Sequence, residues 1–373
     1  MPRHYLDHAS TSPARPEAVE VMLPWLAAGA DPARVHSEGH AARAAVETAR
    51  EQVADLLGAR SREVVFTSGA TESIVTAVWG ATEHRDHVVV PEVEHSAVRE
   101  SSGRHRVTVV GVDGVGRVDP AEILAAVTDE TALVHLQWGN HEVATVQPVA
   151  EVVEECRARG TLVHVDAAAA AGHVPVDFRG LGADLLSVSA HKLGGPPGVG
   201  ALLVRRGLRL RPLLVGGSQE RARRAGFENV PAIVGFGATA AVLATGALAA
   251  EAARNRAQTQ RVHDSVAAGA LGGGVHAYGD VAPDGRLPHI ACLGVEGVEA
   301  EPVLLGLDQR GVAVHSGSAC SSEELAPSPI LAAMGVDAER SLRVSVGWST
   351  TDDDVDAFLD AFPDVVARLR ALR

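Results

Sequence analysis

Lys192 is the only lysine among 373 residues; every other member of the 33 Lys+Arg is arginine. It stands in Ser189-Ala190-His191-Lys192-Leu193-Gly194-Gly195-Pro196, between an apolar run and a glycine-rich turn. Arginine replaces lysine as a charge, but a guanidinium is not a usable amine nucleophile and forms no Schiff base. A lone lysine kept beside Ser and His points to amine chemistry, against the plainer reading of a chance surface lysine. Ser68-Gly69-Ala70-Thr71 follows the run Val64-Val65-Phe66-Thr67. A glycine turn there aims backbone N–H groups at a phosphate, although many strand–helix turns carry Gly and Ser. Asp166 closes the run 161–165, where carboxylates of parallel sheets face sites; its plain alternative is a helix N-cap. A phosphate turn, a strand-end Asp and a Schiff-base lysine together point to pyridoxal phosphate, whose pyridine nitrogen needs an acid partner.

Three further residues carry chemistry. His95, after another strand, has the type to stack on a cofactor ring and move protons. Seventeen histidines make any single one a weak signal. Cys320 lies in Ser316-Gly317-Ser318-Ala319-Cys320-Ser321-Ser322, whose small residues predict an exposed loop and a nucleophilic thiol. Cys156 and Cys292 fall in apolar patterns and read as core. Arg343 is a charge inside a strand pattern, suited to grip a carboxylate bidentately or to form a structural ion pair.

Positioning these residues requires a scaffold. Strands are predicted at 64–67, 87–90, 107–110, 133–137, 161–166, 184–189 and 199–204. Helices are predicted at 16–27, 37–57 (with Ser37 as cap), after Ser73 through Trp79, and at about 119–127, 148–159 and 229–249. This alternation predicts an α/β fold with a mostly parallel seven-stranded sheet flanked by helices. Beyond 250 the pattern changes. A long helix (250–268), strands at 288–293, 312–315 and 341–346, and helices at 301–310 and from 352 predict a smaller α+β lobe. The expected division is a large domain over 16–250 and a small domain built from 1–15 and 251–373, the latter carrying Cys320.

Composition excludes several classes. Hydrophobic residues are 46% and aromatic ones 3%, so Ala, Val and Leu must fill the core. A net charge of −14 argues against direct nucleic-acid binding. An arginine cluster (Arg205, Arg206, Arg209, Arg211, Arg221, Arg223, Arg224) is the local exception, read as a solvated or subunit-facing surface or a dock for an acidic protein. Three widely spaced cysteines make no disulfide framework and no zinc motif. With no apolar run of about 18 residues and no apolar leader at 1–7, no membrane span and a cytoplasmic location are expected.

Together these stretches resemble the cysteine desulfurases, pyridoxal-phosphate enzymes of the class V aminotransferase group. The likeness covers nearly the whole chain. It runs through Tyr5-Leu6-Asp7-His8-Ala9, Val35-His36-Ser37-Glu38-Gly39, Phe66-Thr67-Ser68-Gly69-Ala70-Thr71-Glu72-Ser73, Glu94-His95-Ser96-Ala97-Val98, the Lys192 motif and the Cys320 motif. The last resembles the subgroup with a long cysteine loop. The resemblance implies a fold-type-I homodimer with its site at the subunit interface, L-cysteine as substrate and a sulfur-acceptor protein as partner. It implies that Lys192 carries the cofactor and moves the Cα proton, and that His95 stacks on the ring and handles the thiol proton. Asp166 holds the pyridine nitrogen. Ala70, Thr71, Ser189 and His191 hold the phosphate, Arg343 binds the substrate carboxylate, and Cys320 becomes the persulfide. No metal is implied.

The departures concern the pocket. His141 stands where the family has an Asn that touches the cofactor, and is expected to donate one hydrogen bond in its place. Ala169 replaces a Gln, Phe227 a Thr that reaches the partner's phosphate, and Ile74 and Val75 a polar pair. Altered stabilisation of the cofactor's phenolic oxygen is expected. The competing readings are another enzyme on the same scaffold (a selenocysteine or cysteine-sulfinate lyase, or an aminotransferase) and a catalytically degenerate scaffold subunit.

Overall fold

The computed structural model describes residues 2–316 and 327–372. Strands are β1 (His4–Tyr5), β2 (Val64–Thr67), β3 (His87–Pro91), β4 (Arg106–Val110), β5 (Thr131–Gln137), β6 (Leu162–Asp166), β7 (Leu185–Ser189), β8 (Gly200–Val204), β9 (Val275–Tyr278), β10 (Ile290–Val295), β11 (Val312–Ala313) and β12 (Ser341–Ser345). Seven of them form one sheet in the order β2-β8-β7-β6-β5-β3-β4. Its pairs are parallel from β4 to β7, and β8 runs antiparallel to both β7 and β2.

The apolar residues of this sheet's central strands are buried, including Val89, Val134, Val165, Leu186 and Val188. Such near-continuous Val/Leu runs are what a sheet covered on both faces needs. One face packs against the helices Ser37–Leu56, Val149–Ala158 and Val230–Val242 through Val46, Val53, Val152 and Phe236. The helices Ala70–Ala81 and Ser96–Ser102 cover the other through Ile74, Ala77, Val78 and Val98. Each fully buried Val, Leu or Phe contributes about 1.5–3 kcal/mol. The core is thus built from many medium-sized side chains, as the low aromatic content requires.

A second core lies between the antiparallel sheet β12-β10-β9 and the helices Leu248–Ala267, Ala300–Gln309 and Asp352–Ala371. The amino-terminal arm joins it. β1 pairs in parallel with β11, Leu6 is fully buried there, and Asp7 bridges Ser345.

Several local expectations change. His36, not Ser37, caps the second helix: its ring accepts the Gly39 N–H at 3.2 Å. The helix expected over 229–249 stays α-helical only to Val242, then widens into a π-turn at Leu243–Ala247 around Gly246, at φ +103°. The strand expected over 312–315 stops at Ala313, although His315 bridges Arg343. The segment Val230–Ala267 is long and apolar enough to cross a membrane by length and composition, counter to the expectation of no such run. Glycines and threonines interrupt its strictly apolar residues. In the fold it is a core helix, with Ala232, Ile233, Phe236 and Ala240 buried.

Candidate functional site

The carboxyl ends of β5, β6 and β7 open on one cavity of about 450 Å³. It lies beside the point where the sheet order reverses between β3 and β5, the usual place for a ligand in such sheets. Lys192, His95, His141, Asp166, Ser189, His191, Ala70, Thr71 and Arg343 all line it. Every candidate site residue but one therefore converges on a single cavity. The exception, Cys320, lies outside the described residues.

The amino end of the Ala70–Ala81 helix forms one wall. Gly69 takes φ +156°, a conformation that favours glycine, and leaves the N–H groups of Ala70 and Thr71 at the helix start. Beneath it, β8 must pass very close. A Cβ on Gly200 would stand 2.7 Å from the Gly69 Cα and 2.5 Å from the Val188 carbonyl oxygen, so only glycine fits. The turn is anchored from outside by Glu72, which accepts the Ser68 N–H at 2.8 Å and is held by Arg224 at 2.9 and 3.2 Å.

Lys192 sits in a 3-10 turn, Ala190–Leu193, directly after β7. The turn ends on Gly194 at φ +87°. The Lys192 ammonium donates to the Ala9 carbonyl oxygen of the arm. Ser12 fastens the same place, taking a bond from its N–H to the His191 oxygen at 2.9 Å. His191 meets Thr11 Oγ1 at 3.2 Å, and burial, then Lys192, lowers its pKa to about 4.

Asp166 is buried, and burial raises its pKa, opposed by the Ala168 N–H and the positive influence of His95 and Lys192. It has no ion-pair partner among the described residues. A desolvated carboxylate at the floor of a cavity is suited to a protonated ring nitrogen. Glu94 lies beneath it. Burial first, then Asp166, pushes Glu94 up to about 8 against the bond from the Gln137 N–H, so Glu94 is a neutral acid at pH 7.

Arg343 is 1% exposed on β12. Its Nη1 donates to the His141 oxygen at 2.8 Å and its Nη2 to Asp7 at 3.1 Å, while the buried Nε has no partner. Arg343 thus forms a structural ion pair with Asp7, and it also lines the cavity. The His95 ring accepts the Ala97 N–H at Nδ1 (3.0 Å), capping the short Ser96–Ser102 helix, and meets the His141 ring edge to face.

The cavity is a lysine amine, a helix amino end with nearby Ser189 and His191, a buried acid and an arginine around one space. That set fits pyridoxal phosphate. Ala169 and Ile74 line the same space with apolar side chains. Phe227, by contrast, is 64% exposed and outside it. Cys156 and Cys292 are buried free thiols, and burial pushes Cys156 up to about 11. The arginine cluster is partly neutralised internally, through Arg205–Asp184, Arg221–Glu47 and Arg224–Glu72.

Sequence reasoning missed Gln137, Ser10 and Asp7. Gln137 is the register partner of Asp166 and ends β5 as Asp166 ends β6. A polar residue closing an apolar strand was the available signal. Nothing local marks Asp7 as the partner of a residue 336 positions away.

Comparison with known proteins agrees with this geometry. The family profile described as Aminotransferase class-V matches residues 4–358. The chain is 40% identical to "Cysteine desulfurase IscS" of Methanosarcina thermophila, over 98% of this chain and 92% of that protein. It is also 40% identical to "IscS-like cysteine desulfurase" of Mycobacterium tuberculosis, over 98% and 97%. A solved "NIFS-LIKE PROTEIN" superposes with a TM-score of 0.90 at 30% identity, covering 98% of this chain and 100% of that one. "SspA in complex with cysteine" superposes with a TM-score of 0.79 at 29% identity, covering 92% and 98%. The chain belongs to the aminotransferase class-V family.

Proposed function

We propose that the chain is a pyridoxal-phosphate-dependent cysteine desulfurase that converts L-cysteine to L-alanine and places the sulfur on Cys320 for transfer to an acceptor protein. The observation that carries the reading is the convergence of Lys192, Asp166, His95 and Arg343 on one cavity beside a helix amino end. The names of the relatives support it, and so does the cysteine complex of a structural neighbour.

When bound, the cofactor supplies an electron sink that labilises bonds at the amino acid's Cα. The chain's residues do the rest. Lys192 holds the cofactor through its Nζ and then moves the Cα proton. Ala70 and Thr71 N–H groups, with Ser189 and His191, hold the phosphate. Asp166 would keep the ring nitrogen protonated, and His95 would pack against the ring. Arg343, which lines the cavity, orients the substrate carboxylate. The Cys320 sulfur bonds to the substrate sulfur as the substrate Cβ–S bond breaks. The bonding pair stays with Cβ, which takes a proton, so the carbon is reduced by two electrons and the two sulfurs of the persulfide are each oxidised by one.

On this reading the enzyme is a homodimer working in the cytoplasm, with a large domain over 16–250 and a small domain from 1–15 and 251–373. The loop bearing Leu214, Val215 and Phe227, all exposed, supports a subunit contact. Alanine formation from L-cysteine tests the function, comparing wild type with Cys320→Ala, each with and without a reducing thiol. Alanine from the wild type and much less from the variant is expected. Equal alanine from both would instead indicate a lyase. No alanine and no cofactor colour would indicate a scaffold subunit.

A further inference from the structure

The cavity holds two imidazoles, and they are not equivalent. The rings of His95 and His141 lie 5.1 Å apart, centroid to centroid, at 67°. The Nδ1 of His95 accepts the Ala97 N–H. A neutral imidazole has one donor and one acceptor nitrogen, so neutral His95 carries its hydrogen on Nε2. It presents a donor to the cavity, and taking a proton would mean giving up a helix cap. The ring of His141 has no hydrogen-bond partner among the described residues, and it lines the cavity. It keeps an unused acceptor nitrogen.

The charges around His141 explain how that acceptor is held in reserve. Burial, then His95, Arg343, Lys192 and Arg99, keeps its pKa well below the usual imidazole value. Arg99 and His95 face it from the 95–102 segment, Lys192 from the turn after β7, and Arg343 from β12. The acidic groups nearby are Asp166 across the same cavity, the neutral Glu94 beneath, Glu142 next in the chain, and Asp7 on Arg343. A carboxylate docking on Arg343 cancels one of the cations that suppress His141. The substrate's own carboxylate therefore makes His141 more basic at the moment a proton has to be removed.

We propose that His141 is a second catalytic imidazole of this site: it accepts the thiol proton of the bound amino acid on a ring nitrogen, while His95 acts as a hydrogen-bond donor from Nε2. This rests on the desulfurase reading. The S–H bond breaks, the proton moves to the His141 ring, and it is released when product leaves. No other bond changes in the step.

The test uses the holoenzyme labelled with 15N-histidine and titrated from about pH 5.5 to 9, with and without L-serine, an amino acid of the same shape without the thiol. Without serine, the His141 signals, assigned by their loss in His141→Asn, are expected to stay neutral. With serine the His141 pKa should rise by about one unit or more. In turnover of L-cysteine, His141→Asn should keep the visible cofactor band and a KM within about threefold, and lose about 100-fold in kcat together with the acid limb of its pH profile. A kcat within about threefold of wild type with that limb intact overturns the proposal, as does a His141 titration unmoved by serine. If the wild type forms no alanine, the desulfurase reading fails by itself, and the serine-dependent titration still decides whether His141 answers to a carboxylate on Arg343.

Discussion

Arg224 grips Glu72 with two nitrogens, and the same carboxylate holds the Ser68 N–H of the phosphate turn. A loop exposed at Phe227 is thereby wired to the place where the phosphate would sit. Neither residue of the pair need touch the cofactor to matter for it. Arg224→Ala or Glu72→Gln should raise the cofactor dissociation constant by about tenfold, matching about 1–2 kcal/mol for a charge-assisted bond. Equilibrium titration of the apoenzyme followed by absorbance measures this, and unchanged affinity would show that the turn is self-supporting.

Glu94 predicts an unusual pH dependence of stability. Its folded pKa, about 8, lies above the ordinary carboxyl value, so the folded chain holds a proton that the unfolded chain releases. The protonated form carries no penalty below about pH 4.3, and stability is lost as pH rises towards 8. Glu94→Gln keeps the acceptor for the Gln137 N–H and removes the titration. Between pH 5.5 and 8.5 the melting temperature of the wild type should fall more steeply than that of the variant. Parallel curves would contradict the assignment of a neutral acid.

Lys192→Arg separates charge from chemistry. Arginine keeps the positive charge beside Ala9 but offers no amine to the cofactor. Turnover should fall by at least about 10³-fold and the imine absorption band should vanish. Retained turnover would move the reaction away from Schiff-base chemistry.

Phe227 tests the proposed subunit contact. A buried aromatic side chain contributes about 1.5–3 kcal/mol, so Phe227→Asp should raise the dimer dissociation constant by at least about tenfold. Sedimentation velocity over a dilution series measures it. If Phe227 faces solvent in the dimer, the two proteins will sediment alike.

Much of this was legible in the sequence. All seven strands of the large sheet and their alternation with helices are written in runs such as Val64-Val65-Phe66-Thr67 and Leu185-Leu186-Ser187-Val188, bounded by glycine turns. The Lys192 motif and Asp166 were legible because each ends an apolar strand. The strand Val275–Tyr278 was not, because it is an edge strand of which only Val275 is buried, which leaves no apolar run to read. The same holds for Asp7 with Arg343 and His95 with His141. These pairs are made by tertiary approach, and no local periodicity encodes them. The inverted capping at His36 and Ser37 shows the limit at single-residue scale: both side chains suit a cap, and backbone geometry decides.

The arm bears on how the chain assembles. Asp7 meets Arg343, Ala9 meets the Lys192 ammonium and the Ser345 hydroxyl, and β1 pairs with β11. Residues 4–9 are thus made long before the strands at 312–313 and 341–345 against which they find their places. The seven-stranded sheet needs none of these late residues and can form while synthesis continues. Its cavity, however, stays without its arginine and without the cap on its lysine until the carboxyl-terminal strands arrive. A growing chain is therefore a scaffold first and gains a complete pocket only once β12, with Arg343, has been made.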